Sequence, residues 1–240
     1  MPNILITGAD RGLGFAFCKE FLLRGWTVFG GKFLQDYNLL EQEREKNPSL
    51  RIIPLDIGDA ASIAKARDLV SEQTDSLDMI ISNAALMGQV KCAIDDLPLD
   101  LNAPWDSFRV NALGPARLTE HFLQLLDKGE KKRLCFISSE VSSIVLMKHR
   151  PGNSYPYPMS KTSLNMGVRL MHSLLSAQGY TFRLYHPGWM KRQQPDGTLA
   201  ELAVLDPADT AAHAAKYFEA PLRDEHRLVM FDYLGQEWPF

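Results

Sequence analysis

The sequence predicts an α/β fold: a doubly wound, mostly parallel sheet of seven strands with helices on both faces, built as one domain over residues 1–240. Three observations carry that prediction. Short apolar runs alternate with amphipathic segments along the chain, the mark of successive βαβ units. Three glycines crowd the junction between the first strand and the first helix. No repeat, low-complexity tract or linker divides the 240 residues, a length that suits a single core.

NILI (3–6) is the first strand and leads through the glycine turn into an amphipathic segment ending near Arg24. WTVFGG (26–31) and RIIPLD (51–56) read as the second and third strands, with the charged run EQEREKN (41–47) between them as a solvated helix face. Residues 59–73 suit a helix, with Asp59 as N-cap and Ile63, Ala66, Leu69 and Val70 as its apolar stripe. LDMIIS (77–82) is the fourth strand, and 104–127 one long helix with Pro104 near its first turn. RLCFISS (133–139), a helix over 157–177, YTFRLYHP (180–187), a helix from Pro207 to Phe218 and RLVMF (227–231) complete the series. Residues 188–205 mix Gly, Pro and charge without periodicity and read as a loop over a site, a candidate substrate loop.

Composition narrows the function classes. The formal net charge of −3 gives no strong pull toward nucleic acid or an anionic membrane. No run approaches the roughly 18 apolar residues of a membrane span. MPNILITGAD reads as a strand entering a turn and not as a signal peptide. Cys18, Cys92 and Cys135 are odd in number and far apart, which suits free thiols in a reducing compartment; the expected location is the cytoplasm. The six histidines show no metal-ligand spacing, so no metal is expected, and His186 before Pro187 reads as a strand-end hydrogen-bond partner.

Ligands of such sheets bind beyond the carboxyl ends of the strands. The turn TGADRGLG (7–14) lies at such an end. Glycine lets backbone approach a ligand closely, and the first free N–H groups of the following helix can face a pyrophosphate. That placement points to a dinucleotide and a Rossmann-type fold, with Gly8, Arg11, Gly12, Leu13 and Gly14 as candidate cofactor-binding residues. NAD sites place an acid on the ribose 2′-hydroxyl and NADP sites a cation on the 2′-phosphate. The second strand ends in VFGGKF, with Lys32 and no carboxylate before Asp36, and Arg11 lies in the turn itself. These two cations favour NADP(H), with NAD(H) the alternative. Asp56 ends the third strand and Ile57 follows it, Asn83 follows the fourth, and Pro187 ends the sixth with Gly188 after it; all are further cofactor-binding candidates.

Tyr157 and Lys161 stand at i and i+4, sharing one face of a helix. A phenol has an ordinary pKa of roughly 10, and a nearby ammonium should draw it toward neutrality, where acid/base catalysis works best. Ser138 and Ser139 end the fifth strand just upstream, and Asn111 lies in the preceding helix. Together these residue types suit a carbonyl-reducing site.

With these residues quoted, the chain resembles the short-chain dehydrogenase/reductases. TGADRGLG resembles the family's TGxxxGxG turn, SNAA (82–85) its NNAG with Ala85 where glycine is usual, VNALGPA its asparagine at Asn111, and YPMSK its YxxxK. The match covers essentially the whole chain in the family's order. SYPYPMSKTSLNM, LYHPGWMK and the ending FDYLGQEWPF are similar to the C-factor-like carbonyl reductase subgroup.

The resemblance implies roles. Tyr157 is the proton donor. Lys161 lowers its pKa and holds the nicotinamide ribose. Ser139, in preference to Ser138, orients the substrate carbonyl. Asn111 holds a water in a relay linked to Lys161. Tyr155 lacks the lysine four residues on and shapes the pocket instead. The partner implied is a small-molecule carbonyl or alcohol, with the helix faces at 104–127 and 157–177 suited to a homodimer or homotetramer. Ala85, and Arg192 where the family often has threonine, depart from the pattern. Together with the subgroup's signalling associations they leave open a nucleotide-binding signalling or scaffold protein with little turnover.

Overall fold

The computed structural model describes residues 1–87, 104–148, 155–201 and 203–240. In chain order the elements are β1 (Asn3–Ile6), α1 (Gly12–Leu23), β2 (Thr27–Lys32), α2 (Leu39–Lys46), β3 (Leu50–Pro54), α3 (Ala60–Ser71) and β4 (Met79–Ser82). There follow α4 (Pro104–Phe108), α5 (Gly114–Asp127), β5 (Arg133–Ile137), α6 (Pro156–Leu175), β6 (Thr181–His186), α7 (Pro207–Glu219), β7 (Met230–Asp232) and β8 (Glu237–Trp238). The strands form one sheet in the order β3-β2-β1-β4-β5-β6-β7-β8, parallel throughout except for β8, which runs antiparallel to β7. Strand order reverses between β1 and β4, where such folds open a crevice for ligands.

Strands buried on both faces must send successive side chains into two cores. Leu5 packs with Ile63, Phe122 and Val168 from α3, α5 and α6, whereas Ile4 and Ile6 pack with Phe17 and Phe218 from α1 and α7. Local chemistry starts the helices. Asp59 accepts from the N–H groups of Ala61 and Ser62 to cap α3, and Asp206 accepts from Ala208 N–H to cap α7, where Pro207 fits the first turn. No helix among the described residues is long and apolar enough to cross a membrane.

Three expectations change. An eighth strand joins the predicted seven, because the tail residues Glu237 and Trp238 fold back on β7. The last predicted strand begins later, at Met230, since Arg227 is held by Glu237 through two N–O contacts of 2.7 and 2.5 Å. The single helix expected over 104–127 is interrupted by a wide π-turn at Arg109–Leu113. Pro115 has no N–H to donate to residue 111, so the ladder changes register just before it. The α2 surface expected from the charged run is present, with residues 43–46 half-buried or exposed.

At the opposite end of the sheet from the crevice, Arg183 of β6 is fully buried and meets the Glu225 carboxylate bidentately at 2.7 and 2.8 Å. Arg133 of β5 lies 3.5 Å from the same carboxylate and also donates to the Phe218 carbonyl at the end of α7. Two guanidiniums thus share one carboxylate. Replacing it by an amide leaves buried positive charge uncompensated. E225Q is expected to lower unfolding free energy by about 2 kcal/mol in urea titration, a reduced figure because Glu225 keeps some solvent exposure; an unchanged midpoint would contradict the clamp.

Candidate active site

Tyr157 and Lys161 lie one turn apart on α6, and that turn packs over the carboxyl end of β5. The Ser139 side chain lies next to the Tyr157 hydroxyl. Lys161 is buried, donates from Nζ to the Ile137 carbonyl at 2.8 Å, and holds its ammonium 5.8 Å from the centre of the Tyr157 ring. Burial raises the phenol above its ordinary value of 10.0, an effect the neighbouring Ser139 side chain opposes without reversing. Burial also pulls Lys161 down to about 8. The expectation that the ammonium draws the phenol toward neutrality is therefore not met. Loss of water dominates both groups, and the Lys161 ammonium is directed at a backbone carbonyl.

The two serines at the end of β5 part company. Ser138 is buried, donating to Asn165 Oδ1 at 2.7 Å, with Ser142 Oγ 3.1 Å from its hydroxyl. Asn165 Nδ2 in turn donates to Ser142 Oγ at 2.8 Å. That network fixes the turn Glu140–Ser142, and Ser139 is the serine brought to Tyr157. Asn165 escaped the sequence reading, although it continues the 157, 161 stripe by one further turn.

Asn111 sits in the π-turn, fully buried. It accepts from Leu86 N–H at 2.7 Å and donates to the Leu86 carbonyl at 2.7 Å and to Ser160 Oγ at 2.9 Å. Both of its amide protons go to protein acceptors. The side chain ties the segment after β4 to α6 beside Lys161. A π-turn re-aims one side chain out of the helical series, which is why such turns recur at functional positions.

The glycine turn is held from beneath. Asn83 Nδ2 donates to the carbonyls of Thr7 and Gly8 at 3.0 and 3.2 Å, and Thr7 Oγ1 accepts from the N–H groups of Asn83 and Ala84, both at 3.0 Å. A methyl at Gly14 would lie 2.0 Å from the Gly8 carbonyl oxygen, and Gly8 itself has φ of 62° with Ala84 packed against it. Leu13 is buried in the first turn of α1. Asp56 lies two residues past β3 and accepts from Gly58 N–H, while Ile57 packs its carbonyl on Gly114. Gly188 has φ of 76° and is crowded by Leu205 and Tyr233.

The charge pattern differs from expectation at Lys32. Its ammonium pairs with Glu41 of α2 at 2.6 Å, so a carboxylate distant in sequence does reach the end of β2. Arg11 places its guanidinium 5.1 Å above the Tyr37 ring centre and donates to the Tyr37 hydroxyl at 3.0 Å. Asp10, also in the turn, is buried and accepts from the N–H groups of Phe33 and Leu34 at 2.8 Å each. Burial raises its pKa, and those two N–H groups oppose the rise. Tyr37, Asp10 and Gln193 were not anticipated. Gln193, within the 188–205 segment, accepts from Gly12 N–H at 2.7 Å. That segment forms a small hairpin, with Gln193 opposite Leu199. Trp189 is exposed there, Met190 packs on the core below, and Tyr155 is exposed at the start of α6. Residues 88–103, which include Cys92, and residues 149–154 lie outside the described residues.

The crevice thus places a glycine turn beside a tyrosine, lysine and serine at the strand ends, the layout of a dinucleotide-dependent enzyme. The family model for short chain dehydrogenases matches residues 2–196, and the chain belongs to that family of oxidoreductases. It is 35% identical over 169 residues to C-signal of Myxococcus xanthus, covering 70% of this chain and 95% of that one. Its fold superposes on the NADPH-bound carbonyl reductase from chicken fatty liver with a TM-score of 0.87 and 25% identity, over 100% of this chain and 99% of that one. A short-chain dehydrogenase/reductase of Burkholderia multivorans with bound NADP gives a TM-score of 0.82 and 27% identity, again over 100% and 99%.

Asn83→Ala removes two donors from the underside of the glycine turn. It is expected to cost about 1–2 kcal/mol in chemical denaturation; wild-type stability in that variant would show that the turn stands without its brace.

Proposed function

We propose that the protein is an NADP(H)-dependent carbonyl reductase, exchanging hydride between nicotinamide and a carbonyl or secondary alcohol, with Tyr157 as acid/base. The observation that carries this reading is the meeting of the Tyr157 hydroxyl and the Ser139 side chain beside the buried Lys161 ammonium. The residues present fit a dinucleotide. A cradle that a single methyl at Gly14 would fill lets the start of α1 close on a pyrophosphate. Leu13 and Gly12 contribute backbone there; Asp56, Ile57 and Asn83 border the adenosine side, and Pro187 and Gly188 the nicotinamide side. Arg11, stacked on Tyr37, is the cation for a 2′-phosphate. Lys32 contributes less than its sequence position suggests, being paired with Glu41. NADP(H) is preferred over NAD(H) on Arg11 and on the nucleotides bound in the two similar structures.

When bound, the nicotinamide supplies or takes up the hydride. Ser139 holds the carbonyl oxygen by a hydrogen bond. Tyr157 gives its proton to that oxygen in reduction and recovers it in oxidation. Lys161 keeps positive charge beside the phenolate as it forms and holds the ribose. A phenol raised by burial stays protonated at neutral pH, ready to act as an acid, which favours reduction. The hairpin of residues 193–199 forms a wall over the glycine turn and serves as the substrate loop of a single catalytic domain. The substrate is a small cytoplasmic molecule, with no nucleic acid or membrane partner.

A second reading is favoured by the similarity to C-signal: a nucleotide-binding signalling or scaffold protein with little turnover. NADPH binding without oxidation across a broad carbonyl panel would select it.

Tyr157→Phe is expected to lower kcat for carbonyl reduction by between about a hundredfold and ten-thousandfold, with NADPH affinity retained; full turnover in this variant, followed at 340 nm, would remove Tyr157 from the chemistry. Lys161 is charged below about 8 and neutral above it. Reduction measured as kcat/KM is therefore expected to fall as pH rises through that value, and a flat profile would contradict the role. The outer face of α6 exposes Met159, Met166, Leu170 and Leu174, which suits a homodimer or homotetramer. Sedimentation is expected to show an oligomer that Leu170→Glu dissociates; a wild-type monomer would contradict it.

A further inference from the structure

The ladder between β5 and β6 ends where Ser138 N–H donates to the Tyr185 carbonyl at 2.8 Å. One step on, a side chain replaces the missing backbone acceptor. His186 Nδ1 accepts from Glu140 N–H at 3.1 Å and from Gly188 N–H at 3.3 Å. Backbone N–H groups only donate, so Nδ1 presents a lone pair and the ring proton of the neutral imidazole sits on Nε2. Glu140 directly follows Ser139, and Gly188 forms the turn assigned to the nicotinamide side. One ring therefore ties together the two backbone segments that carry the substrate-holding hydroxyl and the cofactor turn.

The ring is closed in. His186 is 5% exposed, and it packs against Tyr233 at 6.1 Å and Trp238 at 5.3 Å between ring centres. The C-terminal strand β8 thereby covers the outer side of the site. The charged groups facing the imidazole are Glu140 from the turn after β5 and Asp232 from β7; both favour its protonation, while burial opposes it more strongly and holds the pKa below the ordinary 6.5.

We propose that His186 is a positioning residue whose neutral Nδ1 holds the Ser139 end of β5 and the Pro187–Gly188 turn in register, so that a proton gained there releases both. The inference rests on the reading of the crevice as a nicotinamide and carbonyl site. A protonated Nδ1 would direct an N–H at two other N–H groups, and the contacts would be lost together. The unfolded chain takes up this proton at about 6.5 and the folded chain only at lower pH. Stability and positioning are therefore complete above 6.5 and are lost as pH falls toward the folded value.

The experiment compares wild type, His186→Asn and His186→Leu. Asparagine keeps an acceptor that does not titrate, and leucine removes it. NADP⁺ affinity by calorimetry and kcat/KM for reduction are measured from about pH 5 to pH 8, the range in which an imidazole changes charge. The cofactor 2′-phosphate titrates near pH 6 as well, so the difference between variants is the readout. Wild type is expected to lose affinity and kcat/KM on the acid side more steeply than His186→Asn. At pH 8 His186→Leu is expected to be weakened about tenfold, as for loss of two hydrogen bonds, with His186→Asn restoring most of that, and the gap between wild type and His186→Leu is expected to narrow on the acid side. Equal acid limbs in wild type and His186→Asn, or wild-type behaviour in His186→Leu, would overturn the proposal. Should His186→Leu fail to fold, the comparison with His186→Asn alone decides. Wild type that binds NADP⁺ with the His186-dependent limb but reduces no carbonyl would sink the enzyme reading and leave the positioning role standing.

Discussion

The buried ammonium of Lys161 is the contact on which the site depends. A lone ammonium out of water is costly unless its donors find acceptors, and here the Ile137 carbonyl at the last residue of β5 supplies one at 2.8 Å. That bond fixes α6 against the strand end, and with it the rotation of the helix. The Tyr157 phenol one turn earlier then has only one direction to face, toward Ser139. Asn165 one turn later reaches the Ser138–Ser142 network. The stripe at 157, 161 and 165 thus reads the end of β5 at three heights.

The opposite side of the crevice follows a different logic, that of backbone packed without side chains. Gly8 and Gly14 allow the chain to reverse so tightly that a methyl group would not fit. Asn83 then satisfies the carbonyls of Thr7 and Gly8, and Thr7 in return accepts from the amides of Asn83 and Ala84. What remains unclaimed by that bracing is the end of α1, where the Gly12 N–H meets Gln193 from the loop after β6. Loop, glycine turn and Tyr37 are coupled there, since the Tyr37 hydroxyl also donates to the Gln193 carbonyl at 3.2 Å. The segments after β5, β6 and β1 are therefore mechanically joined, at His186 on one flank of the crevice and at Gln193 on the other.

Much of this was legible in the sequence where the cause is local. The glycine turn, the cap at Asp59, the helix start at Pro207, and the i, i+4 spacing of Tyr157 and Lys161 each depend on neighbours within a few residues. The π-turn was not legible, since it needs Pro115, the close approach of Gly114 to Ile57 and the capture of Asn111 by Leu86, all together. Lys32 looked like a free cation because its partner Glu41 lies nine residues on, across a loop. The direction of the Tyr157 shift was missed for a related reason: spacing shows that two charges can meet, whereas burial decides whether either is charged.

The sequence by itself determined the sheet, its parallel order and the inventory of chemistry-bearing residues, because apolar periodicity and glycine placement are properties of short segments. Tertiary structure alone decided what network holds Ser138, where the ammonium of Lys161 points, and how the tail returns to cover His186. Those outcomes depend on contacts between residues tens of positions apart and on how much water is expelled around them, and neither quantity is written in any local pattern.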